Sequence, residues 1–234
     1  MKKFIIPFIA LAGLVSCDSI SGNGNIREES RTIGTIHSVK TSGSIDVEIK
    51  NGEGYSVTVE DDDNLLPYIV TEVEGGTLHI HYRNGYSIMN GHGRATVTVP
   101  ALDGITTSGS GDITTDGVIK STGRVEVNTS GSGNIHAQVE APSVKVSGSG
   151  SADISLSGRT KDFICHVSGS GNIRCAGLRS ENADIQISGS ADAYVFASVS
   201  LKVSVSGSGD VHYSGNPASP EIHIAGSGTV QADK

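Results

Sequence analysis

One short corner sequence recurs along the C-terminal half of this 234-residue chain and constrains its fold more than any other feature. It reads Ser108-Gly109-Ser110-Gly111-Asp112-Ile113, then Ser130-Gly131-Ser132-Gly133-Asn134-Ile135, then Ser147-Gly148-Ser149-Gly150 running through Ser151-Ala152 to Asp153-Ile154. Further copies begin at Ser168, Ser188 and Ser206, and the last runs from Ala225 through Gly226-Ser227-Gly228 to Val230. Counted from the first residue of each copy, the spacings are 22, 17, 21, 20, 18 and 19 residues. A unit of about 20 residues cannot bury its own apolar face, so it must stack on its copies.

Aligning the copies shows what the unit is. Three residues and one residue before the corner stand Val144 and Val146, Cys165 and Val167, Ile185 and Ile187, Val203 and Val205, Ile222 and Ile224. Between them lie Lys145, His166, Gln186, Ser204 and His223. This alternation is that of a strand with one buried face, and it resumes after the corner at Ile113, Ile135, Ile154, Ile173, Val195, Val211 and Val230. No apolar pattern of helical period interrupts it. The expected fold is all-β: a single-domain β-helix, or solenoid, of about seven rungs, each strand pairing with its copy about 4.8 Å away. A β-sandwich also has many short strands, but nothing in it requires one corner sequence to recur.

Residues 36–104 differ. Ser42-Gly43-Ser44-Ile45-Asp46-Val47 is a degenerate copy of the corner, whereas Tyr55 to Val59 and Ile69 to Val73 alternate without one. Glu74-Gly75-Gly76-Thr77 predicts a hairpin into Leu78 to Tyr82, and Arg83 to Arg94 reads as a mobile loop. This irregular N-terminal β region is expected to cap the solenoid of residues 105–234, together one domain over 36–234, because an uncapped stack exposes unpaired edges.

The first residues carry an address. Lys2 and Lys3 precede an apolar run from Phe4 to Val15, too short for the about 20 residues that span a bilayer. It ends in Leu14-Val15-Ser16-Cys17, which resembles the lipobox of a bacterial lipoprotein. Residues 1–16 are thus expected to be a signal peptide, with Cys17 the lipid-attachment residue and the attached acyl chains the membrane anchor. Residues 17–35 begin polar and glycine-containing and are expected to be a flexible tether. Asp18 resembles an inner-membrane retention residue of some bacteria and carries little weight beside the outer-membrane reading.

The aspartate-rich turn leading into Asn64-Leu65-Leu66-Pro67-Tyr68-Ile69-Val70, then Gly76-Thr77-Leu78-His79-Ile80, then Val97-Thr98-Val99-Pro100-Ala101-Leu102, followed by the repeated corners, resembles the head GIN domain family. The resemblance covers residues 35–230. It implies a secreted or lipid-anchored bacterial protein with a single β-helical domain, in a family described as putative auto-transporter adhesins. It brings no catalytic residues with it.

The remaining chemistry is sparse. A formal net charge of -8, with no clustered Lys or Arg, argues against nucleic acid as a partner. Asp112, Asn134, Asp153, Asn172, Asp192, Asp210 and Thr229 would form a ladder, readable as a calcium roll or as side chains bonding the turn backbone; one ligand per corner favours the latter. Glu60-Asp61-Asp62-Asp63-Asn64 could bind a hard cation but reads better as a solvated turn. Cys165 and Cys175 fall at inward positions aligned with Val144 and Leu156. Export would permit a disulfide between them, yet free core thiols are the preferred reading. His79 and His81 share a strand face without a third ligand at convincing spacing. No nucleophile elbow, phosphate loop, His-Glu-x-x-His or Cys-x-x-Cys occurs.

No cofactor or metal is therefore expected. The reading is a non-enzymatic outer-membrane lipoprotein, facing cell surface or periplasm, with a polar β-helical surface for a glycan or protein ligand. A periplasmic scaffold and a β-helical polysaccharide lyase or hydrolase are the alternatives, the enzyme resting on fold analogy alone.

Overall fold

A computed structural model describes residues 18–233. The signal peptide and the lipid-attachment position Cys17 lie outside the described residues. The chain runs through β1 (Asp18–Ser21), β2 (Ile26–Arg31), β3 (Ser38–Gly43), β4 (Asp46–Asn51), β5 (Ser56–Asp62), a 3-10 turn (Leu66–Tyr68), β6 (Ile69–Glu74), β7 (Thr77–Tyr82), β8 (Tyr86–Met89) and β9 (Arg94–Val99). The repeats follow as β10 (Gly104–Gly109), β11 (Ile113–Lys120), β12 (Arg124–Gly131), β13 (Ile135–Gly150), β14 (Ile154–Gly169), β15 (Ile173–Gly189), β16 (Ala193–Gly207), β17 (Val211–Ser214), β18 (Glu221–Gly226) and β19 (Val230–Ala232). They form an all-β solenoid of about six turns, close to the seven corners counted in the sequence.

Each rung has an arm entering the Ser-Gly corner and an arm leaving it. On the entry face, β7, β3, β10, β12, the C-terminal halves of β13 to β16, and β18 pair in parallel. On the exit face the parallel stack is β9, β4, β11, the N-terminal halves of β13 to β16, β17 and β19. Inward residues of both faces, among them Val127, Val146, Cys165, Ile185, Val203, Ile113, Ile135 and Ile154, are buried in one continuous core. Their alternation with exposed polar residues is the period-two pattern of the sequence, and in-register stacking puts each apolar residue on its counterpart.

One register differs from the sequence alignment. Ser149, not Ser147, pairs with Ser130 and Ser168, so Cys165 sits beside Val146 rather than Val144. Ser-Gly occurs twice in Ser147-Gly148-Ser149-Gly150, and the two alignments are two residues apart, which preserves inside and outside. The backbone decides: Gly150 carries the positive φ of the corner, at 102°. The offset corner copy at Ser42 is likewise a full rung, since Ser42 and Gly43 pair with Ser108 and Gly109.

The N-terminal end is closed by antiparallel strands. β6 lies on β7 as the expected hairpin, β5 lies on β9, and β2 lies on β5. The tether expected over residues 17–35 is corrected here: Asp18–Ser21 pairs in parallel with β8, and Ile26–Arg31 is the outermost cap strand. Arg31 fastens it, donating from its guanidinium to the carbonyls of Ile69 (2.6 Å) and Leu66 (3.0 Å). These strands were not legible because β2 is mostly charged and buries no face; main-chain pairing and the Arg31 hydrogen bonds hold it. The same pairing makes Tyr86–Met89, inside the expected mobile loop, a strand.

Cys165 and Cys175 are both free and buried, in accord with the core-thiol reading. Burial raises both thiols, Cys175 to about 12, and Cys165 is raised further by its neighbour Cys175. We therefore expect neither to react with a thiol reagent at neutral pH until the solenoid is unfolded, when both should titrate. Rapid native labelling at Cys165 would show an open core.

Candidate functional site

Three arrangements of polar side chains stand out. The first is the corner ladder. Asp46 Oδ1 accepts from the backbone N–H of Asp112 (2.9 Å), Asp112 from Asn134 (2.7 Å), Asn134 from Asp153 (2.9 Å) and Asp153 from Asn172 (2.8 Å). Asp192 accepts from Asp210 (3.0 Å), and Asp210 from both the N–H (2.7 Å) and the hydroxyl (2.8 Å) of Thr229. Each of these acceptor side chains thus staples its corner to the next rung, the turn-bonding role expected for Asp and Asn, whereas Asn172 bonds back to Asp153. Burial alone would raise the Asp153 carboxyl, but hydrogen bonds from Arg174 and Asn172 outweigh it and hold the group below its ordinary value. Thr229 lowers Asp210 in the same way, through its hydroxyl first and its N–H second.

The second is in the N-terminal cap. Asp61 and Asp62, expected in a solvated turn, are both fully buried at the end of β5. Asp61 Oδ2 accepts from the Tyr82 hydroxyl (2.6 Å), and its Oδ1 from the N–H groups of His92 and Asp62 (2.8 Å each). Asp62 Oδ1 accepts from the Gly24 N–H, and its Oδ2 lies 3.1 Å from His92 Nδ1. Around them Asn23 Nδ2 bonds Asp63 (2.6 Å) and Asn64 Nδ2 bonds the Ser21 carbonyl (2.9 Å). One cluster thereby pins the β1–β2 link, the end of β5 and the chain after β8. The ligand atoms of Asp61, Asp62 and His92 lie within 4.8 Å of one another, a donor set suited to a divalent cation. Every carboxylate oxygen already has a protein partner, so the cluster is complete as a structural latch. His92 and Tyr82 carried no sequence signal; Gly91 and Gly93 beside His92 let the chain lie against the Tyr82 hydroxyl, where a Cβ would intrude.

His79 and His81 lie on the outer face of β7, where His81 Nε2 is 3.7 Å from Glu72. Among the described residues they join no group of three metal-ligating side chains.

The third arrangement is a shallow trough of about 530 Å³ on the entry face. One outward column supplies Thr106, Asn128, Ser147, His166, Gln186 and Ser204; the column nearer the corner supplies Ser130, Ser149, Ser168, Ser188 and Ser206. The trough follows the column nearer the corner, where serine recurs in successive rungs. Its lining offers hydroxyls, amides and one imidazole, and no carboxylate. It can make many hydrogen bonds along a line, and it lacks the carboxyl pair that glycoside hydrolysis generally uses.

A β-solenoid with stapled corners and an open trough edged by hydroxyl and amide side chains defines the class: a repeat protein with an extended surface rather than an enclosed site. The chain belongs to the family described as "Putative auto-transporter adhesin, head GIN domain", which matches residues 36–217. A Bacteroides fragilis structure described as a putative adhesin shares its fold at a TM-score of 0.87, with 22% identity over 92% of this chain and 100% of that one. A Parabacteroides distasonis structure described as a putative lipid binding protein has a TM-score of 0.74 and 28% identity over 93% of this chain and 100% of that one. A putative adhesin from the same organism has a TM-score of 0.75 and 23% identity over 92% of this chain and 100% of that one. No curated protein matches the chain.

Proposed function

We propose that this chain is a non-enzymatic cell-envelope lipoprotein, anchored to the outer membrane through acyl groups on Cys17, whose entry-face trough is an adhesive surface for a glycan or envelope polymer. The observation that carries the reading is the trough itself: two parallel columns of hydroxyl and amide groups repeated at rung spacing. A regular polymer laid along it would make several weak contacts at once, and affinity would come from their number. The adhesin description of the family supports an envelope role. The lack of carboxylates in the trough weighs against a polysaccharide hydrolase.

The test combines location and binding. Protease added to intact cells should cleave the chain while a periplasmic control survives, and the purified chain should retain a cell-surface or envelope polysaccharide. Ser168→Arg, which fills the trough from an exposed position, should weaken that retention by about tenfold or more. Protection on intact cells with cleavage after permeabilisation would favour the periplasmic scaffold. Shortening of a polysaccharide by the pure protein would favour the enzyme.

A further inference from the structure

The two ends of the solenoid are finished differently. At the N-terminal end the outermost strands are β2 and β6. β2 carries Arg27, Glu28, Glu29 and Arg31, and β6 carries Glu72 and Glu74, charges of the kind that deter edge-to-edge pairing. The core beneath is closed: Val57, Val59, Leu78 and Ile80 are fully buried. At the C-terminal end β18 pairs only with β16, and β19 only with β17, among the described residues. Ile222 and Ile224 continue the inward columns of Val203 and Val205, yet are 38% and 45% exposed. An apolar cross-section of the core and two unpaired strand edges therefore face solvent together. Glu221 and His223 are the only charged or titratable side chains on β18.

We propose that this open end binds the same end of a second copy, so that two solenoids join tail to tail about a two-fold axis. Under that symmetry β18 pairs antiparallel with its own copy, the manner in which the chain already closes its other end. Centring the pair on Ile222 keeps both inward isoleucine rows on the core side. It also sets the outward Glu221 and His223 of each copy, 3.1 Å apart within one chain, beside His223 and Glu221 of the other, so that acid and imidazole alternate across the contact. Registers that pair Ile222 with an outward residue would turn one apolar row to water. Head-to-tail stacking would instead set the open end against the charged cap strands, so the contact closes at two copies. The contact is independent of the trough. β1 lies in the capped end against β8, so an anchor at Cys17 makes the open end the one far from the membrane. On the anchoring reading, this contact joins chains on facing surfaces.

The lipid-free chain from Asp18 onward contains every strand described, and its mass in solution gives the first readout. A dimer is expected at high micromolar concentration. His223→Glu, an exposed change that opposes two carboxylates across the axis, should weaken it by about tenfold or more with an unchanged circular dichroism spectrum. Adding Glu221→His to that variant exchanges the two side chains and should restore it. Ile222→Cys should form a disulfide-linked dimer under native oxidising conditions. A monomer at every concentration, an open-ended polymer, or a dimer indifferent to His223→Glu and not cross-linked by Ile222→Cys would each overturn the proposal. Vesicles carrying the chain through the Cys17 thiol should cluster, and those carrying His223→Glu should not. A solution dimer without clustering would leave the pairing intact and reject the facing-surface arrangement.

Discussion

Replacing Gly169 by Ala should cost about 3 kcal/mol or more, a large share of the stability of any single domain. Gly169 has φ 146°, and a Cβ there would stand 2.0 Å from the carbonyl oxygen of Gly150 in the rung beneath. The oxygen cannot retreat, because it also accepts the Ser170 N–H at 2.9 Å and so sets the rung spacing at the corner. The same conflict recurs along the column: a Cβ on Gly131, Gly189 or Gly207 would lie 2.5, 2.4 or 2.2 Å from the carbonyl oxygen of the preceding glycine. Gly43 is the internal control. It shares the left-handed backbone, at φ 84°, but nothing lies within 4 Å of its Cβ position. Gly43→Ala should therefore pay only the conformational cost, about 1 kcal/mol. Urea titrations of both variants separate the two effects. Equal midpoints would mean that the corners are not stacked this closely.

Asp61→Ala should unfasten the N-terminal cap, at a cost of about 3 to 5 kcal/mol. The carboxylate is fully buried, and its loss strands the Tyr82 hydroxyl and the N–H groups of His92 and Asp62. The damage should be local. Hydrogen exchange at Gly24 and His92 should rise first, while the corner amides of β14 and β15 stay protected. Uniform loss of protection would show that cap and repeats unfold as one unit.

The cap should also respond to pH at both extremes. His92 chiefly, with the Gly24 N–H, holds the Asp62 carboxyl below its ordinary 3.8, against the opposing effect of burial. A folded-state value below the unfolded one gives stability that is present above 3.8 and lost as pH falls beneath it. Tyr82 is the reverse case. Burial first, and Asp61 second, push its phenol well above the ordinary 10.0, so its contribution is complete below that value and lost as pH rises past it. Asp62→Asn should flatten the acid limb of the stability curve and leave the alkaline limb. An acid limb unchanged by that substitution would assign it to other carboxylates.

Much of the molecule was legible in the chain. The corner copies and the alternation at positions such as Val203, Ser204 and Val205 determined a stacked all-β fold, because an apolar row every second residue can be buried only as a strand on its neighbour. The corner acids were legible as turn-bonding groups, since one oxygen per corner can staple a rung but cannot by itself build a cation site. Burial of the two cysteines followed from their place in the inward columns. Only the tertiary structure decided the register at Ser149, the pairing of β1 and β2, and the convergence of Asp61 and Asp62 with Tyr82 and His92. It alone showed that, among the described residues, one end of the stack is closed and the other open. Local periodicity records which side of a strand is apolar. It does not record which distant strand supplies the missing hydrogen bonds, and the cap, the latch and the open end all depend on that long-range pairing.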